Sequence, residues 1–367
     1  MINNKILLVN SEFPPQPGGI GNHGFHLANQ LSKKQYEVEV LTDNRSVSGA
    51  EEHIFDTELA YKVHRVKVSP LRVFMYFKRI FLLMKLIRKN ELIIASGKFS
   101  LWIVAFTSLF FKRKYIAIIH GSEVNLRNGF LKIVTDYSLH CFSEIIAVSN
   151  YTKSLISALN LCNVVVIPNA INENEWNEKL IKNDVLLGDP KLITVGNVTE
   201  RKGQLNVIRQ LPDLIKKYPK LEYHCVGIPT EKEQFLIKSK KLKVASHITF
   251  HGRVTDHKLK KLLKSSDIFV MLSGETNTGD VEGFGIAILE ANALGIPVIG
   301  SKDCGIEDAI DDNKSGILIS NLNTDEFLNA IKTIKKDYIN YKKNARNWAM
   351  EHTWDRIIKK YIKIFEH

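Results

Sequence analysis

Cysteine is scarce in this chain and widely spread: Cys141, Cys162, Cys225 and Cys304 are the four among 367 residues, with no C-x-x-C spacing. That excludes a zinc ribbon and a dense disulfide framework, and makes a reducing, cytosolic compartment the expectation. Long apolar runs are missing too. The longest uncharged one, residues 99–111, is 13 residues, short of the roughly 18–20 that cross a bilayer. Met1 and its neighbours enter a strand-like run at once, without the charged, apolar and small-residue order of a signal peptide. Neither secretion nor membrane insertion is expected. Low-complexity tracts and repeats are absent, which with 44% hydrophobic and 25% charged residues points to an ordinary globular protein. Its length exceeds the ~250–300 residues at which single cores stop growing, so two domains are expected.

Acidic residues are missing where bases are densest. The chain carries 51 Lys and Arg against 39 Asp and Glu, a net charge of +12. Residues 61–90 hold nine of those bases (Lys62, Arg65, Lys67, Arg72, Lys78, Arg79, Lys85, Arg88, Lys89) and no acid. From Leu71 to Asn90, the spacing of Phe74, Phe77, Phe81 and Met84 against Lys78, Arg79, Lys85, Arg88 and Lys89 has two readings. It fits a basic amphipathic helix lying on an anionic membrane surface. It equally fits a helix packed on a sheet with a solvated basic face.

Short apolar runs alternate with helical patterns throughout. Strands are expected at 5–10, 37–41, 62–68, 92–95, 115–119, 144–148 and from 164, then at 191–195, 221–226, 247–250, 268–272, 297–299 and 316–319. Most are too apolar to have one wet face, so they belong to parallel sheets covered on both sides by helices. Two doubly wound α/β domains follow. Pro168-Asn169 marks the boundary, a polar stretch over 172–182 follows it, and residues 353–365 form an amphipathic helix with Thr353 placed as its N-cap.

Four segments carry chemistry. Gly18-Gly19-Ile20-Gly21-Asn22-His23-Gly24 contains a literal G-x-G-x-x-G, but Pro14, Pro15 and Pro17 separate it from the first strand, against a nicotinamide fingerprint. What remains is a loop whose N–H groups can approach an anion before a helix, or a plain flexible loop. His120-Gly121-Ser122-Glu123 directly follows a strand, where ligands of open α/β sheets sit; a buried structural histidine is the competing reading. Arg201-Lys202-Gly203 lies between a strand and a helix, where a guanidinium fork and a point charge could neutralise a diphosphate, or could be surface charges beside a turn. The fourth, Asp280-Val-Glu282-Gly283-Phe284-Gly285-Ile286-Ala-Ile-Leu-Glu290, sets two carboxylates around glycines that open an apolar helix. At ~1.5 Å rise per residue, Glu290 is expected about 12 Å beyond Glu282. Two carboxylates so placed suit hydroxyls at opposite ends of an elongated ligand better than acid/base work on one bond.

Together these segments resemble the retaining glycosyltransferases of family 4, among them enzymes of bacterial cell-surface polysaccharides such as O-antigen and capsule. The likeness runs from the Pro-Gly-Gly loop through His120-Gly121-Ser-Glu123, Ile167-Pro-Asn-Ala-Ile-Asn172 and Arg201-Lys202-Gly203 to the Glu282…Glu290 element and Trp354-Asp355. It implies the GT-B fold: two Rossmann-like doubly wound α/β domains facing each other across a cleft. Residues 1–168 would bind the acceptor, with the last helix, 353–367, crossing back to them. Residues 169–352 would bind a UDP- or GDP-linked sugar.

By the resemblance, Glu282 hydrogen-bonds donor-sugar hydroxyls and Glu290 the ribose. Arg201 and Lys202 balance the leaving diphosphate, helped by N–H groups around Gly283, Phe284, Gly285 and Ile286. His120 contacts the sugar near the reacting carbon, with Gly121 and Glu123 beside it, and Gly18 and Gly19 approach the phosphates or the acceptor. Many members carry Arg where this chain has Asn197, and Arg201 is the expected substitute. No DxD-like motif stands in a convincing place, so neither metal nor cofactor is expected, and front-face displacement with retention is the implied reaction. Expected partners are a nucleotide sugar, a glycan or undecaprenyl-pyrophosphate-linked acceptor, and an anionic membrane surface through residues 61–90, at the inner face of the membrane. Nucleic acid is not expected. A non-catalytic basic protein binding membrane or nucleic acid, and a GT-B epimerase or phosphorylase, are the alternatives; the former leaves the glycine loop, His120 and the Glu pair unexplained.

Overall fold

Every strand expected from the apolar runs is present within two residues at the described ends, and all pair in parallel. The computed structural model describes residues 4–46, 48–67, 72–127, 129–178, 181, 184–276 and 279–366. Of the expected features, Met1, Val68, Leu71, Lys182 and His367 lie outside them. The chain divides into two units, Met1–Asn169 with Trp354–His367, and Ala170–Thr353. Each is an open parallel sheet with helices on its faces, the two-domain Rossmann-like arrangement expected of the GT-B class.

The first unit runs β1 (Lys5–Asn10), α1 (Gly19–Lys33), β2 (Glu37–Asp43), α2 (Ala50–Thr57), β3 (Lys62–Val66), α3 (Arg72–Ile87), β4 (Leu92–Ser96), α4 (Lys98–Ser108), β5 (Lys114–Ile119), α5 (Phe130–Leu139), β6 (Glu144–Ala147), α6 (Asn150–Ser154) and β7 (Val164–Val166). Its sheet order is β3-β2-β1-β4-β5-β6-β7, so the direction of winding reverses between β1 and β4. Alternation along the strands sends Leu7, Val9, Ile93 and Ala117 into one core with Leu83 and Ile87 of α3, Leu101 and Val104 of α4 and Leu139 of α5. A last helix, α13 (Trp354–Glu366), belongs to this unit. Its Trp354, Ile357, Ile358, Tyr361 and Phe365 recur at helical spacing and are buried, and Tyr361 reaches His23 of α1.

Helix α3 gives each reading of the basic segment one face. Met75, Leu83, Leu86 and Ile87 are buried against the sheet. Phe74, Phe77 and Phe81 are 65%, 67% and 74% exposed, and Lys78, Lys85 and Arg88 share that exposed side. Arg79 departs from the expectation of a solvated basic face. It turns inward, pairs with Asp43 at the end of β2 and stacks 4.3 Å above the Phe99 ring, because a buried guanidinium needs a carboxylate and an aromatic face accepts its plane. No helix among the described residues is long and apolar enough to cross a membrane.

The second unit runs β8 (Lys191–Val195), α7 (Gln204–Lys217), β9 (Glu222–Val226), α8 (Lys232–Lys241), β10 (Ile248–Gly252), α9 (Asp256–Ser265), β11 (Ile268–Met271), α10 (Ile286–Ala293), β12 (Val298–Ser301), β13 (Gly316–Ile319), α11 (Thr324–Lys336) and α12 (Tyr338–Glu351). Its order, β10-β9-β8-β11-β12-β13, repeats the first unit's plan and reverses between β8 and β11. In open α/β sheets such a reversal opens a crevice at the carboxyl ends of the strands.

Candidate functional site

At the second unit's reversal point, β8 runs into Gly196 and Asn197, then a single helical turn, Glu200–Lys202, and Gly203 before α7. Gly203 has φ +78, and a Cβ there would stand 2.1 Å from the Leu272 carbonyl just beyond β11. Only glycine lets the Arg201-Lys202 turn lie so close to the neighbouring strand end.

That approach brings the two cations onto Glu282, in the loop from β11 to α10. Lys202 Nζ lies 2.7 Å from Glu282 Oε2. Arg201 Nη1 donates to the same oxygen, while its Nε lies 3.1 Å from Asp280 Oδ2. Burial alone would push the Glu282 carboxyl up; the charges of Lys202 and Arg201, with the Gly285 N–H, outweigh it and hold the group below its ordinary value. The Gly285 N–H, expected to serve a phosphate, is thus directed at Glu282. The backbone is pinned as well, since the Gly305 N–H donates to the Glu282 carbonyl oxygen and a Cβ on Gly305 would meet the Gly283 oxygen at 2.1 Å.

Phe284 points its ring into the core, 1% exposed and 6.4 Å from the His352 ring, leaving only its backbone to face a ligand. Gly285, at φ +84, caps α10, which begins at Ile286. The expected 12 Å helical rise between the carboxylates therefore does not apply: residues 282–285 form a loop, and the helix covers only the last steps to Glu290. Glu290 is partly buried, and its carboxyl is raised to about 7 by burial first and then by Glu175, against the pull of Lys202 and Lys260. Lys202 thus acts electrostatically on both carboxylates. Asn197 is exposed, its carbonyl accepting from Gln204 Nε2 at 3.1 Å.

In the first unit, β5 delivers His120 beside the end of β4. Its Nε2 lies 2.9 Å from Ser96 Oγ, the last residue of β4. Burial lowers its pKa to about 4, so the imidazole is neutral near pH 7. Gly121, φ +123, turns the chain. Glu123 folds back so that one carboxylate oxygen accepts the His120 backbone N–H, while the other, buried, has no hydrogen-bond partner among the described residues. Burial raises this carboxyl to about 7. Glu123 thereby fixes the turn that carries His120. Gly19 opens α1 with free space where a Cβ would go. Beside Gly18 stands the Glu12 carboxylate, 3.6 Å from Arg45, occupying the helix N-terminus where an anion was expected.

Three residues at these sites were not singled out from sequence. Asp280 sits within the fourth segment yet was assigned no role; it holds Arg201. Ser96 offered one signal, a polar residue ending a buried strand before Gly97. His23 lay inside the glycine segment, but its neighbours come from elements far off in sequence. Among the described residues no three His, Cys, Asp or Glu side chains gather as a metal site would need.

Two family models match the chain. One, described as Glycosyltransferase Family 4, covers residues 17–175; the other, Glycosyl transferases group 1, covers residues 172–350. The chain is 26% identical over 357 residues, 90% of its own length and 89% of the relative's, to a GDP-mannose-dependent alpha-(1-6)-phosphatidylinositol monomannoside mannosyltransferase of Mycolicibacterium smegmatis. Among solved structures, Anabaena HepE in complex with UDP and glucose aligns with a TM-score of 0.77 at 18% identity over 99% of both chains. A glycosyltransferase from Rickettsia africae aligns with a TM-score of 0.79 at 19% identity, over 98% of this chain and 97% of that one. At such identities the two structures speak for the fold.

Proposed function

Since the chain belongs to the family 4 glycosyltransferases, on the GT-B architecture, we propose that it moves a hexose or N-acetylhexosamine from a nucleotide-diphosphate sugar to a lipid-linked glycan. Retention at the anomeric carbon and a place in bacterial cell-surface polysaccharide synthesis are part of this reading. The observation that carries it is the Arg201–Glu282–Lys202 group at the strand reversal of the second unit. Two cations there meet a carboxylate kept ionised, which suits a ligand that is a diphosphate at one end and a sugar at the other.

In the reaction, the bond from the anomeric carbon to the diphosphate oxygen breaks. The acceptor hydroxyl oxygen forms its bond from the same face, and the hydroxyl proton passes to the departing phosphate oxygen. Arg201 and Lys202 stabilise the charge that develops on the leaving group. With five and three N–H donors, they can bind phosphate oxygens while still holding Glu282. Glu282 accepts from sugar hydroxyls and Glu290 from the ribose, and the role given to neutral His120 is a contact to the sugar near its reacting carbon. Gly19, Gly121 and Asn197 supply backbone to the ligands, and Gly18, with the Glu12 carboxylate beside it, serves the acceptor rather than a phosphate. No metal ion is asked for, so a chelator leaves turnover unchanged.

The Mycolicibacterium smegmatis relative is named for GDP-mannose and Anabaena HepE was solved with UDP and glucose, so sugars of both nucleotides belong in the assay panel. With the productive donor, Lys202→Ala and Glu282→Ala each lower turnover by about 100-fold or more while circular dichroism keeps the fold. Near-normal turnover in both variants would sink the assignment. The acceptor's lipid fits the exposed Phe74, Phe77 and Phe81 of α3 with their bases, a surface suited to the anionic inner face of a cytoplasmic membrane.

A further inference from the structure

We propose that His23 and Tyr361 are positioning residues for His120, so that the last helix of the chain sets the orientation of the imidazole at the reacting carbon. The proposal rests on the role given to His120 above. It starts from a contact between residues 338 positions apart: His23 Nε2 on α1 lies 3.0 Å from the Tyr361 hydroxyl on α13, both buried. The Trp354 ring, at the start of α13, stands 5.5 Å from the His23 ring. His23 in turn meets the His120 ring edge to face, centroids 5.1 Å apart at 75°.

His120 is therefore held at three points. Glu123 takes its backbone N–H, Ser96 Oγ meets its Nε2, and the His23 ring bounds its remaining freedom. Glu123 belongs to the loop after β5 and Ser96 ends β4, and both would hold His120 in any packing of α13. The His23 contact alone depends on that helix. The Nδ1 of His23 is buried without a hydrogen-bond partner among the described residues, so the ring's orientation is fixed through Nε2, by Tyr361. Burial first, then His120 and His26, lower the pKa of His23 well below its ordinary value. Two neutral rings can lie edge to face at this distance, whereas two cations would repel.

Removing the Tyr361 hydroxyl frees the His23 ring to turn, and a shift of about 1 Å in a group that positions the substrate can slow chemistry by about 100-fold. A residue that acts only through His120 loses its effect when His120 is gone; a structural residue does not. The experiment measures kcat, and KM for the nucleotide sugar, in Tyr361→Phe and His23→Gln, each in the wild-type and His120→Asn backgrounds. In the wild-type background kcat falls about tenfold with KM unchanged, and in His120→Asn the same substitutions change it less than about twofold. Equal fold losses in both backgrounds, or no loss in the wild-type one, overturn the proposal. Wild-type turnover in His120→Asn fails the role of His120 itself, and the positioning with it. Imidazole ¹⁵N spectra of Tyr361→Phe give a readout independent of activity: the His120 resonances move, and unmoved ones overturn the proposal whatever the rates.

Discussion

Glu282 and Glu290 are the same residue type eight positions apart, and their surroundings give them opposite protonation behaviour. Lys202 and Arg201 keep Glu282 ionised despite burial, while burial and Glu175 lift Glu290 to about 7. A carboxyl that accepts from both ribose hydroxyls is favoured in its ionised form, so nucleotide binding near pH 7 should release a fraction of a proton. Titration calorimetry in buffers of different ionisation enthalpy reads that release, and Glu290→Gln abolishes it; the same release from the variant would refute the assignment. Stability carries the same sign. Between its ordinary value of 4.5 and about 7, Glu290 holds more proton folded than unfolded. Its contribution therefore weakens as pH rises through that window, and Glu290→Gln should flatten the slope. None of this was legible in sequence, where the two carboxylates differ only in distance from the glycines.

At the scale of elements, the strands were legible because buried parallel strands need apolar residues on both faces, and their runs are short and bounded by polar or turn residues. Helix α3 was legible only in part. Its period gave the helix and its apolar content, but the inward turn of Arg79 depends on Asp43, 36 residues away on another element. Nor could spacing decide that Phe74, Phe77 and Phe81 face solvent while Leu83 and Leu86 face the sheet, since all are apolar. If the exposed aromatic stripe and its bases meet an anionic leaflet, the triple variant Phe74→Ser, Phe77→Ser, Phe81→Ser binds phosphatidylglycerol-containing vesicles at least about tenfold more weakly. Raising salt releases the wild type, because the bases contribute roughly 1 kcal/mol each through screened attraction. Its affinity for the nucleotide changes less. Salt-insensitive vesicle binding that the triple variant retains would contradict this.

At the scale of the whole molecule, the scarcity of cysteine and of long apolar runs narrowed the chain to a class, and the repeated strand order gave that class its form. Both units reverse their winding beside their first strand, and near each reversal stands a cluster of the expected residues: His120 with Glu123, against the end of β4, in one, and Arg201, Lys202 and Glu282 in the other. Sequence could place these residues at strand ends; it could not supply the partners that set their charge, such as Asp280, or their orientation, such as Ser96 and His23. The +12 net charge also resolves into separate uses, a solvent-facing stripe on α3 and an inward pair on Glu282. The central claim is transfer with retention from a nucleotide sugar, and NMR of the product formed from an α-linked, ¹³C-labelled donor tests it most directly. An α-linked product, with one nucleoside diphosphate released per sugar transferred, is the predicted result. A β-linked product, or no nucleotide released from any UDP- or GDP-sugar in the presence of a lipid-linked glycan, would contradict it.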